Sequence, residues 1–481
     1  MRLGQTSAIH FVSNILASAT SFVAIIYFAR VVGADILGQY YLVVALLAWL
    51  KIAGQLGVGT AVIKRLSESH EQAQYIAAGG ILIATLFVAM AAGLFVFRNA
   101  VDQYIGAAVT QYILLLLFST LFYSFFTSIL QGRHLVHVAG MLVPLRIATR
   151  SLLQIGAVFA GLGLAGMLVG YAAGWFVVAL VALAVTVPAV ARPRKRHFVR
   201  LIEYAKYSWL GSVQSQTFNW IDVVVLGFFV PSGLIGIYSV AWSVAIFLLQ
   251  FSHSISDTIF PEISQLTAEG KQEQISGLVN DASGYTGVIL IPGFVGGALL
   301  AEPILRIYGD EFVEGAVVLI VLIAAVLVYS YQKPFLMTLN AIDRPDLAFR
   351  VNGLFVVSNV LLNVALVYLY GWIGAAVATG VSAAIGLLSA YLFLSNLLEF
   401  SIPYREIARQ WIAAVVMGVV VYGGQWAEET YHILNHNFAT VLLLVCLGAG
   451  IYFGTYFVIS DAFQTTVKNN LPFDILSHPD R

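Results

Sequence analysis

The sequence predicts an all-α, polytopic membrane protein with about fourteen transmembrane helices. The composition is 60% hydrophobic and only 10% charged, whereas a soluble domain carries roughly 25% charged residues. Long apolar segments recur along the whole chain, and Lys and Arg are concentrated in alternate loops. Each apolar segment is long enough to span a bilayer, because about 30 Å of hydrocarbon at a rise of about 1.5 Å per residue requires about 20 residues.

Apolar segments fall on both sides of a basic connector. Those before it lie at about 8–29, 39–62, 76–97, 109–130, 142–161 and 164–187. Those after it lie at about 208–230, 236–260, 283–301, 313–338, 350–370, 373–394, 408–425 and 438–459. The first segment has no convincing cleavage site, so we expect a retained helix rather than a signal peptide.

The distribution of basic residues tests this number of helices, because cytoplasmic loops accumulate Lys and Arg. About 20 of the 24 basic residues fall on one side of the predicted membrane. The opposite side has only Arg30, Arg98 and Arg306. We therefore expect a multi-pass protein of the plasma (inner) membrane with both termini in the cytoplasm.

Other features of the composition exclude several classes of protein. The formal net charge is zero, so no nucleic-acid partner is expected. The single cysteine, Cys446, excludes an intrachain disulfide. Glu428, His432 and His436 have a metal-like spacing but no third strong ligand, so no metal site is predicted. No nucleotide-binding motif occurs, so the chain does not hydrolyse ATP itself and no cofactor is expected.

Two short motifs recur and indicate an internal repeat. The segment from Gly33 through Gly38 to Tyr40 matches the segment from Pro231 through Gly236 to Tyr238. Gly163-Leu-Ala-Gly166 likewise matches Gly371-Trp-Ile-Gly374. Both repeats keep the same membrane orientation, so we expect two six-helix lobes related by a pseudo-two-fold axis along the membrane normal, plus two C-terminal helices.

The repeat sets the predicted domain boundaries. Residues 1–191 form the N-terminal six-helix lobe, and residues 192–207 form a basic cytoplasmic connector. Residues 208–398 form the C-terminal six-helix lobe, and residues 399–481 form the two additional helices and a cytoplasmic tail.

Polar side chains inside the apolar segments need a functional or packing reason, because a Lys, Arg or Asp at the centre of a spanning helix costs about 2.5–3.5 kcal/mol. Lys51 and Asp222 lie too deep to reach the interface. They belong to polar stripes of helical spacing, and Asn352, Asn359 and Asn363 form a further stripe explained by hydrogen bonds between helices. The stripes are Lys51 with Gln55; Ser215, Asn219 and Asp222; and Gln250, His253 and Asp257.

Several stretches resemble the polysaccharide flippase branch of the multidrug/oligosaccharidyl-lipid/polysaccharide (MOP) exporter superfamily. The strongest begins at Asp222-Val-Val-Val-Leu-Gly, continues as Gly236-Ile-Tyr-Ser-Val-Ala and ends in Phe260-Pro-Glu-Ile-Ser. The resemblance covers nearly the whole chain. It implies two lobes around a central cavity that opens alternately to each side of the membrane. The implied cargo is an oligosaccharide linked to a polyprenyl (pyro)phosphate on an undecaprenyl or dolichyl carrier, and glycan assembly enzymes are candidate partners.

Within this framework we assign roles to the buried polar residues. Lys51, with Arg146 and Arg150, is expected to attract the phosphate, since an arginine fork donates two parallel hydrogen bonds. Gln55, Asn219, Asp222 and Gln250 are expected to complete substrate binding. Asp222, His253 and Asp257 are candidates for coupling to a Na⁺ or H⁺ gradient. The alternative is that Lys51 and Asp222 form structural pairs, while the arginines reach to headgroups.

Rival functions remain at this point. A flippase for a peptidoglycan lipid precursor also has fourteen helices, and a drug–cation antiporter usually has twelve. A membrane glycan polymerase or glycosyltransferase is a rival of another class. The predicted outer loops are too short to hold its catalytic residues, so the chain is predicted not to be an enzyme.

Overall fold

The fold is taken from a computed structural model of the full chain. It describes residues 3–186, 189, 191–208, 210–432, 434 and 436–470. Within these ranges the side chains of 3–18, 207, 210–212, 250–258 and 469–470 are left out of the description.

The described chain is built from α-helices, with one 3₁₀ helix at Asp310–Gly315 and no strand in the ranges given above. The first nine helices are α1 Leu3–Gln55, α2 Val58–Glu68, α3 Gln72–Val96, α4 Arg98–Ile105, α5 Thr110–Gly132, α6 Val136–Phe159, α7 Gly163–Thr186, α8 Lys195–Ser208 and α9 Leu210–Phe229. The others are α10 Ser232–Phe247, α11 Leu249–Ala268, α12 Gln272–Leu299, α13 Ala301–Arg306, α14 Ala316–Ala341, α15 Pro345–Ser395, α16 Tyr404–Tyr431, α17 Asn437–Ile459 and α18 Asp461–Asn470.

The described residues of the predicted apolar segments lie almost entirely in helices. Among the described residues, ten helical stretches are long and apolar enough to cross a membrane. Two of these ten, α1 and α15, each consist of two helices joined at a kink, at Gly33 and at Gly371 respectively. Predicted segments seven and eight correspond to α9 and to α10 with α11. The all-α, polytopic fold is therefore confirmed.

The repeated glycine motifs adopt matching turns. Gly163 and Gly371 both have positive φ, at 49° and 59°, a conformation that glycine adopts without steric cost. A Cβ atom on Gly166 would lie 3.1 Å from the backbone of Ala157, and one on Gly374 would overlap the backbone of Leu366. Each motif thus reverses the chain and packs its second glycine on the preceding helix, as expected from the repeat.

The second predicted segment, 39–62, is not one continuous helix. Helix α1 ends at Gln55, and α2 begins at Val58. Between them Leu56 and Gly57 have positive φ values of 37° and 78°. Lys51 therefore lies about one turn from a break, and not near the middle of an unbroken helix as the sequence predicted.

The basic connector contains the amphipathic helix α8. Its buried side chains are His197, Leu201 and Ala205, which recur every four residues and share one face. This face packs on α2 and α3. Helix α9 begins soon after α8 ends.

The chain divides into two compact units. The first comprises Met1–Ser239 with Asn363–Ala375, and the second comprises Val240–Leu362 with Ala376–Arg481. In the first unit α6 and α7 pack against each other and against α1. In the second, Val279, Phe335, Leu339 and Leu394 belong to a buried core formed by α12, α14 and α15. The boundaries predicted at 191, 207 and 398 remain predictions.

Candidate functional site

The first unit contains a cation–aromatic cluster, which we define as Lys51, Arg146, Arg150, Tyr123, Tyr171 and Trp175. The guanidinium carbon of Arg146 lies 4.1 Å from the ring centroid of Trp175 and 5.3 Å from that of Tyr123. The ammonium of Lys51 lies 5.3 Å from the Trp175 centroid. Arg150 lies 5.1 Å from the Tyr171 centroid. The structure therefore brings together three of the predicted phosphate-binding residues and supplies aromatic partners that the sequence analysis did not identify.

The aromatic rings form one platform. Tyr171 and Trp175 are one helical turn apart on α7, and their rings are stacked at 5.8 Å with an interplanar angle of 7°. Tyr123 of α5 meets Trp175 edge-on at 5.1 Å. Each cation over such a ring gains about 0.5–2 kcal/mol, depending on how far it is desolvated.

Glycines on α7 hold α6 against this platform. Gly166, Gly170 and Gly174 recur every four residues, so they line one face of α7. A Cβ atom on Gly170 would lie 2.8 Å from the backbone of Gln154, and one on Gly174 would overlap the backbone of Arg150. Close approach of the two helices thus places Arg146 and Arg150 beside Trp175 and Tyr171.

Among the described side chains, none of the carboxylates forms an ion pair with the cluster. Within the described part of the chain, Lys51, Arg146 and Arg150 have no acidic group within 4.0 Å. The Nε atoms of both arginines are buried without a hydrogen-bond partner, while one terminal nitrogen of Arg150 donates to Ser21 at 3.4 Å. Because a buried charge is costly unless paired, the cluster is suited to bind an anion.

Gln154 on α6, the helix that carries Arg146 and Arg150, contacts the repeated segment Gly33–Tyr40. Its side chain is only 1% exposed, and its Nε2 donates to the hydroxyl of Tyr40 at 3.1 Å and to the carbonyl of Met167 at 2.8 Å. Tyr40 belongs to the repeated segment Gly33–Tyr40 and also lies 6.5 Å, ring to ring, from Tyr171. These two hydrogen bonds fix α6 relative to both α1 and α7.

Asp222 lies in a separate buried site. It is 5% exposed, and it accepts a hydrogen bond from the hydroxyl of Tyr238 and one from Nδ2 of Asn363 at 2.8 Å. The Asn363 bond joins α15 to α9, as predicted for the asparagine stripe. Asn359 of that stripe donates to Thr379 at 3.5 Å. Asp222 thus has protein partners of its own, which matches the structural-pair alternative.

The other predicted site residues are dispersed. Gln55 is half-buried at the end of α1. Asn219 donates to the carbonyl of Ser215 in its own helix at 2.7 Å. Gln250, His253 and Asp257 lie on α11, and their side chains are outside the described residues. Of these five, none is described as part of the cation–aromatic cluster.

No metal-binding group is found in the part of the chain that the structure describes. Glu428 instead accepts the backbone N–H of Leu434 at 3.0 Å, so its carboxylate closes the turn after α16.

Comparison with known proteins gives one family. The family model described as "Polysaccharide biosynthesis protein" matches residues 3–267, more than half of the chain. Two Haloferax volcanii proteins match over 98% of both chains at 28% identity: "Probable flippase AglR" over 479 residues, and a "Probable low-salt glycan biosynthesis flippase" over 480 residues.

Solved structures share the fold. The lipid II flippase MurJ in an inward closed conformation has a TM-score of 0.81 and 16% identity, covering 96% of this chain and 100% of that chain. An inward-facing multidrug MATE transporter of the MOP superfamily has a TM-score of 0.65 and 14% identity, covering 79% of this chain and 95% of that chain. These identities are low, so the likeness concerns the fold alone. The family match establishes that the chain belongs to the polysaccharide biosynthesis protein family, and the likeness to these structures shows that it shares their fold.

Proposed function

We propose that this protein is a flippase that moves a polyprenyl-(pyro)phosphate-linked oligosaccharide from the cytoplasmic to the outer leaflet by alternating access. Its product would serve surface polysaccharide or glycan biosynthesis. Two relatives that match over nearly the whole chain are named as flippases, one of them for glycan biosynthesis. The protein is accordingly a transporter and not an enzyme.

The observation that carries the proposal is the cation–aromatic cluster, which has no acidic partner among the residues that the structure describes. Arg146 and Arg150 lie about 15 and 21 Å along α6 from its start at Val136, well inside the membrane. A phosphate or pyrophosphate would supply the missing negative charge, and each guanidinium can donate two parallel hydrogen bonds to it. The lipid tail would remain in the bilayer while this head group occupies the cluster.

The cluster also discriminates between the rival functions. A drug–cation antiporter must bind cationic cargo, and three clustered cations oppose such cargo by like-charge repulsion. A peptidoglycan lipid precursor also carries an anionic head, and the fold of MurJ fits that cargo equally well. We favour the oligosaccharide because two relatives are named as flippases, one of them for glycan biosynthesis.

The remaining features belong to the same proposal. The carrier is undecaprenyl or dolichyl, and glycan assembly enzymes supply and consume the cargo. The basic loops support a plasma-membrane location with both termini in the cytoplasm. We propose that a Na⁺ or H⁺ gradient drives the cycle and that Asp222, which accepts hydrogen bonds from Tyr238 and Asn363, is the coupling group, because ionisable side chains inside membrane helices commonly relay protons or bind ions.

The test of transport uses purified protein in proteoliposomes that contain a lipid-linked oligosaccharide. Accessibility of the glycan to an impermeant glycosidase reports flipping. We expect Arg146→Gln and Arg150→Gln each to reduce the rate more than tenfold, since each removes a charge-assisted contact of about 1.5–3 kcal/mol. Arg98→Gln is the matched control, because Arg98 also stacks on an aromatic ring, that of Phe95 at 5.6 Å, but lies outside the cluster.

Other outcomes of this experiment would decide against the proposal. Flipping that survives both substitutions at normal protein abundance would remove the cluster from the mechanism. A peptidoglycan precursor that is flipped faster than the oligosaccharide would favour the rival cargo. Sugar transfer by the purified protein would restore the glycosyltransferase alternative.

Coupling needs a separate measurement. The flipping rate is followed with a Na⁺ gradient at constant pH and with a pH gradient at constant Na⁺. We expect one gradient to accelerate flipping by the parent protein and to have no effect on Asp222→Asn. An equal response of Asp222→Asn and the parent would exclude Asp222 as the coupling group.

A further inference from the structure

Helix α8 carries an outward face that the function proposed above does not use. Lys195, Val199, Ile202 and Lys206 are spaced by four, three and four residues, so they lie along one stripe of the helix. All four are exposed, with Val199 at 42% and Ile202 at 50%. The stripe thus presents two apolar side chains between two lysines, and we call it the connector face.

The surroundings of the connector face are basic. Arg192 and Arg194 precede α8 and are exposed. The single acid on the helix, Glu203, lies at the edge of the stripe. This combination of exposed aliphatic side chains and positive charge is typical of helices that lie on an anionic lipid surface.

Both ends of α8 are tied to the ends of spanning helices, so it runs along the membrane boundary. Near its beginning, His197 accepts the backbone N–H of Arg194 at its Nδ1, 2.8 Å away. The proton therefore resides on Nε2, which donates to Glu71 at 3.1 Å, just before α3 begins. At the other end, Ser208 is followed closely by α9.

Further contacts fix the opposite side of α8. Arg196 pairs with Glu71, and Arg200 donates to the hydroxyl of Tyr75 at 3.3 Å. The hydroxyl of Ser208 donates to the carbonyl of Gly57 at 3.2 Å. These contacts keep the connector face directed away from the protein and connect α8 to the break that follows Lys51.

We propose that the connector face is a binding surface for anionic lipids of the leaflet that the basic loops identify as cytoplasmic. The lysines contact the headgroups, while Val199 and Ile202 enter the boundary between headgroups and acyl chains. A lysine near an anionic surface contributes about a fivefold preference for anionic lipid. This inference is independent of the transported cargo.

The experiment places a fluorescent reporter on the face. In a Cys446→Ser background, Val199→Cys is labelled with bimane, and the full-length protein is reconstituted with brominated phosphatidylglycerol or brominated phosphatidylcholine. We expect stronger quenching by the brominated phosphatidylglycerol. Adding Lys195→Gln and Lys206→Gln should make quenching by the two lipids nearly equal.

Two matched controls make the result specific. Val88→Cys lies on α3 at a site that is 64% exposed, and its bimane should be quenched equally by both lipids. Lys271→Gln removes a basic charge elsewhere and should leave the preference at position 199 unchanged. Equal quenching by both lipids in the Val199→Cys protein would overturn the proposal, and so would the absence of quenching by either lipid.

Discussion

Gly38 and Gly236 face each other so closely that a Cβ atom added to either one would lie 3.0 Å from the backbone nitrogen of the other. The contact is reciprocal in a second way, because a Cβ on Gly38 would overlap Ser232 and a Cβ on Gly236 would overlap Ala34. Ser232 lies four positions before Gly236, and Ala34 lies four positions before Gly38. Such a self-complementary contact is what a local two-fold axis produces, and here it relates the two copies of the repeated segment.

This contact predicts that neither glycine tolerates a side chain. We expect Gly38→Ala and Gly236→Ala each to destabilise the protein by about 1–3 kcal/mol, because backbone must move to admit the methyl group. The apparent melting temperature in detergent measures the effect. Gly93→Ala is the control, since a Cβ there meets nothing within 4 Å. If the two substitutions are as mild as the control, the close approach is wrong.

Arg146 should not be replaceable by lysine. Lysine keeps the charge but loses the flat guanidinium that lies over Trp175 and the two parallel donors that suit a phosphate. We expect Arg146→Lys to flip lipid-linked oligosaccharide about fivefold to tenfold more slowly, which corresponds to a stacking energy of about 1 kcal/mol or slightly more. Arg98→Lys provides the comparison. An unchanged flipping rate for Arg146→Lys would mean that charge alone matters at this position.

Gly170 is predicted to be essential for the packing of α6 on α7. A methyl group at this position would lie 2.8 Å from the backbone of Gln154 and push the two helices apart. We expect Gly170→Ala to lower stability by about 1–3 kcal/mol and to weaken the contact between Arg150 and Tyr171. Gly450→Ala, where a Cβ has nothing within 4 Å, is the matched substitution. Equal melting temperatures for the two variants would contradict the packing.

The attachment of α8 to α3 should depend on pH through Glu71. The hydrogen bond from His197 is the largest influence that lowers the pKa of Glu71 below its ordinary value of 4.5, and Arg196 lowers the pKa further. A carboxylate with a lowered folded-state pKa stabilises the folded state above its unfolded-state pKa, and this contribution is lost as the pH falls through the folded-state value. We expect the melting temperature of the parent protein to decrease below about pH 4.5 more steeply than that of Glu71→Gln. Parallel pH profiles would show that the contact does not hold α8.

The sequence was sufficient to predict the helices, because the length of each apolar segment and the uneven distribution of Lys and Arg between loops can be determined from the sequence alone. The repeated glycine motifs also predicted an internal repeat, and Gly163 and Gly371 at equivalent positions both have positive φ. The break at Leu56–Gly57 was not predicted, since both residues fit within an apolar segment. The structural evidence for the break is the left-handed conformation of Gly57 and its contact with Ser208, and neither can be recognised from the sequence.

The candidate site was predictable only in part. Lys51, Arg146 and Arg150 stand out because charge inside a membrane is costly. The aromatic residues beside them do not stand out in the sequence, because Trp and Tyr are common in any apolar helix. The four-residue spacing of Gly166, Gly170 and Gly174, with Tyr171 and Trp175 on the same helix, is the signal that would have indicated the platform. The bond from Asn363 to Asp222 spans 141 positions, and no local pattern predicts it.

The interruption at Leu56 and Gly57 divides the second predicted span into two helices, α1 and α2. A helix is a single straight element only where its ladder of backbone hydrogen bonds is continuous. Because the hydroxyl of Ser208 donates to the carbonyl of Gly57, the break is attached to α8, whereas Lys51 on α1 lies over Trp175 of α7. The two parts of the second predicted span therefore have different neighbours: the part with Lys51 belongs to the cation–aromatic cluster, and α2 packs on α8.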